Sequence, residues 1–356
     1  MKITFVGPYP NLSGGVRVIA TIANKLQDRG HDVCVVAPRE APPTKLDWLR
    51  ALKKGRRPLR AHQKNHYDHM DARLILLEHS GPISNDDVPD ADVIIATWWE
   101  TAFSVTHFSP SKGRKFYFIQ GHEVHDFLPN HISAGSYYLP LNKIVVSSWL
   151  EKLMKERYAA QNVTVVPNSV DTSLFHAPYR QKQPHPTIGL MYANDPLKGL
   201  DVSLTAINLI KKKHPDLQVV SFGAHPTQRA MPLPSGATYI INPPQDQIRQ
   251  IYANCDVFIA GSYAEGFGLP ILEALACRSP VVATRTGCTT DVIEEGQNGF
   301  IVDVGDAAGM ADKACKILSL TNEAWMRMST TARKSATSYS WEDAAVLFEK
   351  ALMDEQ

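Results

Sequence analysis

The sequence lacks the features that mark secreted, zinc-binding and membrane-spanning proteins. Its 356 residues include five cysteines, and none forms a Cys-x-x-Cys pair or a Cys/His spacing typical of zinc. Scattered cysteines of this kind indicate reduced, buried thiols. No signal peptide precedes the first apolar run, and no apolar run reaches the length of a membrane span. We therefore expect a cytoplasmic protein, with peripheral attachment to the inner face of the membrane as a further option.

A strong net charge is also missing. Lys and Arg number 37 against 36 Asp and Glu, which gives a formal net charge of +1 at pH 7. Because proteins that bind DNA or RNA need a basic surface, this balance argues against a nucleic-acid partner. The hydrophobic content of 44% is ordinary for a globular protein, and the length favours two domains.

The first 37 residues predict a strand, a helix and a second strand. Apolar residues recur with helical spacing through residues 16–26, between strand-like runs at 2–6 and 33–37. This alternation favours a parallel sheet. The loop before the helix is not Gly-x-Gly-x-x-Gly, so a nicotinamide-binding domain fits poorly. Two interpretations stay open: a glycine-rich helix start capped by Ser13, or backbone contact between Gly15 and a pyrophosphate.

The most informative stretch is residues 264–276. A buried-strand pattern at 255–260 leads into a glycine loop and then to Pro270 at the expected first position of a helix. Strand, glycine loop and helix start form a geometry in which backbone N–H groups hold an anion. Glu265 and Glu273 could face the same crevice and accept hydrogen bonds from hydroxyl groups. A nucleotide sugar carries both phosphate and diols; an ordinary βα unit with solvated glutamates is the alternative.

The order Glu-Gly-Phe-Gly-Leu-Pro-x-x-Glu at 265–273, an E-x7-E motif, resembles the nucleotide-sugar signature of the retaining glycosyltransferase family 4. Ser-Gly-Gly-Val-Arg-Val-Ile-Ala at 13–20 and Val-Pro-Asn-Ser-Val-Asp at 166–171 are similar to the family's glycine loop and interdomain segment. The resemblance spans nearly the whole chain and is weakest between about 41 and 115. It implies the α/β GT-B fold, in which two Rossmann-like parallel-sheet domains face a central cleft.

The resemblance also implies domain boundaries. We expect an acceptor-side domain at 1–166, a linker at 167–186 and a nucleotide-sugar-binding domain at 187–338. A helix within 339–356 would then cross back to the first domain, with Ser340 and Asp343 forming its capping box.

Three residues are implied to be catalytic. Glu265 would bind hydroxyls of the donor sugar, and Lys198 would neutralise the leaving diphosphate. His122, which follows the predicted strand 115–119, would hydrogen-bond the donor sugar near its reacting carbon. Glu123 could orient His122. His125 is the rival candidate to His122 for the contact with the donor sugar. The donor-binding set implied by the resemblance is Gly15, Lys198, Glu265, Gly268, Leu269 and, for the ribose, Glu273.

The implied reaction is the transfer of a sugar, hexosyltransferase-like and metal-independent, from a nucleotide-sugar donor to an acceptor hydroxyl. The acceptor would be a saccharide or a lipid-linked molecule in polysaccharide, lipopolysaccharide or glycolipid synthesis. No cofactor is expected besides the nucleotide-sugar co-substrate, for which UDP, GDP and dTDP stay open. No metal is assigned, because Asp90-Ala91-Asp92 is more typical of a surface turn than of a metal-binding Asp-x-Asp motif.

One departure from the family favours an alternative function. The family places an arginine five or six residues before Lys198, where this chain has Ala193 and Tyr192. Arg17 or Arg229 could replace it, or stabilisation of the leaving group is weaker. The alternative is a catalytically degenerate protein of the same fold that only binds nucleotide sugars.

Residues from about 41 to 70 form a basic insertion, whose basic residues lie at 45–64. In that narrower range eight Lys and Arg alternate with Trp48 and several leucines, and Asp47 is the one acidic residue. A solvated insertion is one interpretation, and an amphipathic segment that docks on an anionic membrane surface is the other.

Overall fold

A computed structural model of the chain describes residues 1–41, 48–49, 52, 65–125 and 128–354. Contacts divide the chain into two compact units. Unit 1 comprises Met1–Val145, Met154–Thr164 and Ala345–Gln356, and unit 2 comprises Val146–Leu153 and Val165–Ala344. Within the described ranges, no helix combines the length and the apolar character needed to cross a membrane.

Unit 1 is built on a parallel sheet. Its described strands are β1 (Lys2–Val6), β2 (Asp32–Ala37), β3 (Arg73–Leu76), β4 (Val93–Ala96), β5 (Arg114–Ile119), β6 (Asn142–Val145) and β7 (Val163–Val165). They lie in the order β3-β2-β1-β4-β5-β6-β7, and the pairs from β3 to β6 are parallel. The sequence Val-Ile-Ile-Ala of β4 is fully buried, as expected for a strand whose sheet is covered on both faces.

The described helices of the first half are α1 (Gly14–Asp28), α2 (Trp99–His107), α3 (Asn130–Gly135) and α4 (Ser148–Tyr158). Short 3-10 turns occupy His66–His69, Asn85–Asp87, Pro110–Lys112 and Ser136–Tyr138. The Ser13 cap, one of the two interpretations of the glycine loop, is present, because the Ser13 hydroxyl accepts a hydrogen bond from the Val16 N–H at 3.4 Å.

Unit 2 has the same kind of sheet. Its strands are β8 (Thr187–Met191), β9 (Gln218–Gly223), β10 (Thr238–Ile241), β11 (Val257–Ala260), β12 (Val281–Thr284) and β13 (Gly299–Val302). Every neighbouring pair in the order β10-β9-β8-β11-β12-β13 is parallel. The predicted α/β class with two parallel sheets is therefore confirmed.

The remaining helices are α5 (Leu200–Lys213), α6 (Gln245–Ala253), α7 (Leu269–Ala276), α8 (Thr289–Val292), α9 (Ala307–Leu318), α10 (Asn322–Thr337) and α11 (Trp341–Met353), with a 3-10 turn at Pro196–Lys198. The capping box of α11 is confirmed by reciprocal bonds between Ser340 and Asp343. Phe348, on the part of α11 that belongs to unit 1, packs its ring 5.9 Å from Phe5 and 5.0 Å from Phe118.

Three further expectations can be compared with the structure. All five cysteines are buried free thiols, as predicted. Asp92 accepts the Lys2 N–H at 2.7 Å and Asp90 pairs with Lys112 at 3.0 Å, so both carboxylates have partners within unit 1. Helix α7 begins at Leu269, one residue earlier than predicted, so Pro270 is its second residue.

Candidate functional site

Each sheet reverses its strand order beside its first strand. In unit 1, β1 lies between β2 and β4; in unit 2, β8 lies between β9 and β11. In open parallel sheets, ligands bind outside the carboxyl ends of the strands at such a reversal. In unit 2 the loops that follow β8 and β11 form one pocket, whose lining includes Lys198, Glu265 and Gly268.

The turn that carries Lys198 is held against the neighbouring loop by backbone contacts. Gly199 has a φ of +55°, and a Cβ atom at this position would lie 1.8 Å from the carbonyl oxygen of Gly261. The Tyr263 N–H donates to the Leu197 carbonyl at 2.8 Å. Only glycine combines this backbone conformation with so close an approach. The position of Lys198 is therefore set by a contact between residues more than sixty positions apart.

Lys198 and Glu265 form a bidentate ion pair. The Lys198 Nζ lies 2.9 Å from Oε1 and 2.8 Å from Oε2 of Glu265. The Ser262 hydroxyl also donates to Oε1, at 2.8 Å. The side chains of Lys198 and Glu265 are 30% and 11% exposed, so the pair borders the pocket and is partly shielded from water. Of the described residues that line this pocket, Lys198 is the one with a cationic side chain.

The start of α7 completes the pocket. Gly268 lines it and precedes α7 with a φ of +94°, and Leu269 is the first residue of the helix. The Phe267 carbonyl accepts the Cys288 N–H at 2.7 Å, which ties the loop to the segment after β12. Backbone N–H groups at the start of a helix suit an anion. The structure thus brings the predicted residues Lys198, Glu265 and Gly268 together at one pocket, whereas Leu269, the next residue after Gly268, is absent from its described lining.

Glu273 occupies a different environment. It lies on α7, is 6% exposed, and accepts a hydrogen bond from the Tyr252 hydroxyl at 3.0 Å. It is absent from the described lining of the pocket that contains Glu265. Its predicted contact with the ribose stays a prediction. Arg229, one of the two suggested replacements for the family's arginine, is exposed and is also absent from that lining.

Unit 1 contains a cavity of about 1060 Å³ beside its own strand reversal. Gly15 lines it at the start of α1, together with residues that follow β1, β4 and β5. Its described lining includes Glu123 and His125 but not His122. Clefts of several hundred cubic ångströms are the usual size for small-molecule sites, so this cavity can hold a sizeable ligand.

His122 is part of an aromatic cluster. Its Nε2 lies 2.6 Å from the Tyr158 hydroxyl, and its ring stacks 5.7 Å from the ring of Tyr137. Burial, with smaller contributions from Arg157 and His125, lowers the pKa of His122 to about 4. At neutral pH the imidazole is therefore uncharged, and it can act as a hydrogen-bond donor or acceptor.

Glu123 points to helix α2. Its Oε2 accepts the Trp99 N–H at 2.9 Å, at the beginning of the helix, and it lies 3.4 Å from the Tyr117 hydroxyl. Burial raises the pKa of the Glu123 carboxyl to about 8. The role that the sequence suggested for Glu123, the orientation of His122, is filled in the structure by Tyr158.

The sequence reasoning missed several residues of the cavity in unit 1. Trp98, Trp99 and Gln120 all line it. The available signal was Thr-Trp-Trp-Glu at 97–100, a polar and aromatic group placed directly after the buried strand β4. Polar residues in this position mark the ligand-binding edge of a parallel sheet.

Family models match both halves of the chain. The model described as Glycosyltransferase Family 4 matches residues 12–174, and the model described as Glycosyl transferases group 1 matches residues 186–320. The chain belongs to the family 4 glycosyltransferases. This glycosyltransferase is 29% identical over 187 residues to a D-inositol 3-phosphate glycosyltransferase from Corynebacterium jeikeium. The match covers 49% of the chain and 43% of the relative, so the chain spans less than half the length of that relative.

Solved structures match over nearly the full chain. A sucrose-phosphate synthase from Thermosynechococcus elongatus has a TM-score of 0.74 with 16% identity, and the match covers 98% of both chains. HepE from Anabaena, solved in complex with UDP and glucose, has a TM-score of 0.70 with 16% identity and the same coverage. At this level of identity the likeness shows the fold alone. The predicted GT-B fold of this glycosyltransferase is confirmed.

Proposed function

We propose that this glycosyltransferase moves a sugar from a nucleotide-sugar donor to an acceptor hydroxyl with retention of the anomeric configuration. The observation that carries the proposal is the Lys198–Glu265 pair at the strand reversal of unit 2, beside the start of α7. A cation and a carboxylate at one pocket match the two parts of the donor, since a diphosphate needs positive charge and a sugar needs acceptors for its hydroxyls.

Donor binding would exchange the partners of this pair. In the structure Lys198 and Glu265 neutralise each other, and Ser262 holds the carboxylate in place. The diphosphate would take over the Lys198 ammonium, and the sugar hydroxyls would donate to the Glu265 carboxylate. In this exchange the ammonium gains an anionic partner, and the carboxylate exchanges its ion pair for hydrogen bonds from neutral hydroxyls and from Ser262.

Lys198 would then stabilise the negative charge that grows on the diphosphate as the glycosidic bond breaks. We assign no protein nucleophile. Retention would follow if the acceptor attacks the face from which the diphosphate leaves and the donor phosphate takes the acceptor proton. His122, uncharged at neutral pH, would donate a hydrogen bond near the reacting carbon. Gly15, Gly268 and Leu269 would contribute backbone N–H groups.

A thermal-shift screen with UDP, GDP, dTDP and ADP tests the donor site. A nucleotide that binds only the native state raises the melting temperature by mass action. We expect one nucleotide to stabilise the wild type, with a much smaller shift in Lys198→Ala and an unchanged shift in Lys212→Ala, which alters an exposed lysine of the same unit. Equal shifts in the two variants would contradict the assignment of Lys198.

A second candidate function, nucleotide-sugar binding without catalysis, is favoured by one observation. In the described lining of the pocket, Lys198 has no cationic neighbour to share the diphosphate charge. Slow hydrolysis of the stabilising nucleotide sugar would support the transferase. Tight nucleotide binding with no release of nucleoside diphosphate would support the degenerate protein.

The acceptor would be a saccharide or lipid-linked molecule of polysaccharide, lipopolysaccharide or glycolipid synthesis, at the cytoplasmic face of the membrane. Most of the basic insertion at 45–64 lies outside the described residues, but Trp48, Leu49 and Leu52 are 41%, 60% and 66% exposed. Exposed apolar groups among basic ones suit an anionic bilayer. Flotation with anionic liposomes should recover the wild type and not a variant with the eight basic residues changed to Gln. Equal recovery would contradict membrane docking.

A further inference from the structure

We propose that the Tyr158 hydroxyl holds His122 in its Nδ1–H tautomer, so that Nδ1 is the ring nitrogen that donates to the donor sugar. Tyr158 is then a positioning residue, which acts on the reaction through His122. This inference rests on the proposed transferase function, in which His122 donates a hydrogen bond near the reacting carbon. It adds which atom donates and which residue fixes the proton there. Both residues belong to unit 1.

The hydrogen bond between the two rings has one consistent direction. His122 Nε2 lies 2.6 Å from the Tyr158 hydroxyl, and Tyr158 is 4% exposed. In the described part of the chain, Nε2 is the one acceptor within reach of this hydroxyl. If Nε2 carried the proton, the hydroxyl hydrogen would lie buried without an acceptor, which costs about 1–3 kcal/mol. The hydroxyl therefore donates, and Nε2 accepts.

The protonation states agree with this direction. Burial lowers the pKa of His122 to about 4 and raises the pKa of Tyr158. At neutral pH the phenol therefore keeps its proton, and the imidazole has a single N–H group. Because Nε2 accepts, that N–H group is at Nδ1. An imidazolium would carry hydrogen on both nitrogens and could not accept from Tyr158.

Aromatic packing keeps the ring in this orientation. The His122 ring stacks on that of Tyr137 at 5.7 Å and an interplanar angle of 26°, and the Tyr137 and Tyr158 rings lie 4.8 Å apart. The Tyr137 hydroxyl accepts the Glu123 N–H at 2.7 Å and donates to the Gly121 carbonyl at 3.2 Å. Both neighbours of His122 in the chain are thus bonded to Tyr137. A half-turn of the imidazole would place a C–H group against Tyr158 and lose the hydrogen bond.

The end of α4 sets the place of Tyr158. Tyr158 is the last residue of this helix, and Ala159, with a φ of +50°, leaves the helical conformation. The Ala160 N–H then donates to the Met154 carbonyl at 3.1 Å, which closes the helix end. A residue in the left-handed region at this position is a common helix stop. The Tyr158 ring is therefore held by the backbone as well as by its packing.

The Nδ1 atom of His122 is open to a ligand. His122 is partly exposed, and none of the described residues bonds its Nδ1. This atom is also not among the fully buried polar atoms that lack a partner, so a sugar hydroxyl can reach it. His122 thus has one nitrogen engaged by the protein, and the other nitrogen, which carries the proton, is available as a donor.

The first test reads the tautomer directly. In nitrogen NMR spectra of the labelled full-length protein at neutral pH, protonated and unprotonated ring nitrogens are well separated, and the His122 signals are those lost in His122→Asn. We expect Nδ1 to be protonated and Nε2 to be unprotonated in the wild type. Tyr158→Phe, which removes the hydroxyl and keeps the ring, should populate the Nε2–H tautomer.

The matched control is Tyr138→Phe, which removes a hydroxyl from the same aromatic cluster. The Tyr138 ring lies 5.3 Å from that of Tyr158, but its hydroxyl donates to the Arg157 carbonyl at 3.4 Å. This variant should therefore keep the wild-type tautomer of His122.

The second test measures the release of nucleoside diphosphate from UDP-glucose, GDP-mannose and dTDP-glucose. On the nucleotide sugar that the wild type turns over, we expect Tyr158→Phe to lower kcat by about tenfold, because His122 then offers its proton from the wrong nitrogen in part of the population. The thermal shift caused by the nucleoside diphosphate should be unchanged, since that ligand is assigned to unit 2. Tyr138→Phe should keep the wild-type kcat.

Three results would overturn the proposal: a wild-type His122 protonated at Nε2, a folded Tyr158→Phe with the wild-type tautomer, or a folded Tyr158→Phe with an altered tautomer and the wild-type kcat. The NMR measurement needs no substrate, so it is separate from the proposed function. The expected tautomer together with no diphosphate release from any of the three nucleotide sugars would contradict the transferase and not the tautomer assignment.

Discussion

The Lys198 ammonium lies within 2.9 Å of both carboxylate oxygens of Glu265, although 67 positions separate the two residues in the chain. The contact exists because the turn at Pro196–Lys198 lies close to the loop after β11, where the backbone of Gly199 packs against that of Gly261. The pair therefore joins the two loops that meet at the strand reversal of unit 2. A donor that enters this pocket meets a cation and an anion whose positions are already set.

The ion pair should show a measurable coupling energy. In a double-mutant cycle with Lys198→Met and Glu265→Gln, each single change leaves one partner without its counter-charge, whereas the double change removes both. We expect the summed loss of unfolding free energy in the two single variants to exceed the loss in the double variant by about 1–2 kcal/mol. Urea unfolding measures the four free energies. Additive effects would mean that the pair contributes nothing to the fold.

Gly199→Ala should disturb the site more than an alanine substitution at another glycine with a positive φ. At Gly199 an added Cβ would lie 1.8 Å from a backbone oxygen, whereas at Gly236, with a φ of +82°, it meets nothing within 4 Å. We expect Gly236→Ala to cost about 1 kcal/mol, from the backbone conformation alone. Gly199→Ala should cost at least twice as much and should also weaken nucleotide binding. Similar effects of the two changes on nucleotide binding would refute the positioning role of this turn.

Glu123 should make stability depend on pH. Burial raises its pKa from 4.5 to about 8, so between these values the folded chain holds a proton that the unfolded chain releases. The free energy of unfolding therefore falls as the pH rises through this window. The glutamine side chain of Glu123→Gln cannot ionise. In the wild type we expect the free energy of unfolding to fall by on the order of 2 kcal/mol between pH 5 and 8 because of Glu123, and the variant should lack this fall. Denaturant titrations across that range measure it.

The matched control for this prediction is Glu294→Gln, because Glu294 is exposed. It should retain the pH dependence of the wild type. The prediction fails if the Glu123→Gln and wild-type stability curves run parallel from pH 5 to 8.

His122 should remain uncharged throughout the physiological range. Since burial lowers its pKa to about 4, the folded chain binds fewer protons than the unfolded chain below the ordinary pKa of 6.5. This contribution to stability is present above pH 6.5 and is lost as the pH falls towards 4. In an NMR titration of the histidine ring protons, the signal that disappears in His122→Asn should show no midpoint above pH 5. A midpoint between 6 and 7 would contradict the buried aromatic setting.

Local patterns predicted the elements of the fold well. The alternation of apolar runs and helical spacing gave β1 with its observed bounds, 2–6, and gave the caps at Ser13 and Ser340. The E-x7-E stretch was recognisable because strand, glycine loop and helix start are contiguous in sequence. Features of this kind depend on neighbours within a few residues, which is the range over which spacing and side-chain capping act.

Long-range contacts could not be predicted from the same patterns. The partner of Lys198 is set by a backbone contact of Gly199 with Gly261, which only the folded sheet brings together. Glu123 was expected to orient its sequence neighbour His122, but in the loop after β5 its carboxyl group accepts the Trp99 N–H, at the start of another helix. Glu273 was expected at the surface of a crevice, yet α7 packs it against Tyr252.

The most direct test of the account is the release of nucleoside diphosphate from the nucleotide sugar that stabilises the protein, compared between the wild type and Glu265→Ala. We predict that the wild type releases it, slowly to water and faster with a saccharide acceptor. Glu265→Ala should lower the rate by about 100-fold or more while it remains folded by circular dichroism. Release at the wild-type rate in folded Glu265→Ala would contradict the central claim that the Lys198–Glu265 pocket holds the donor.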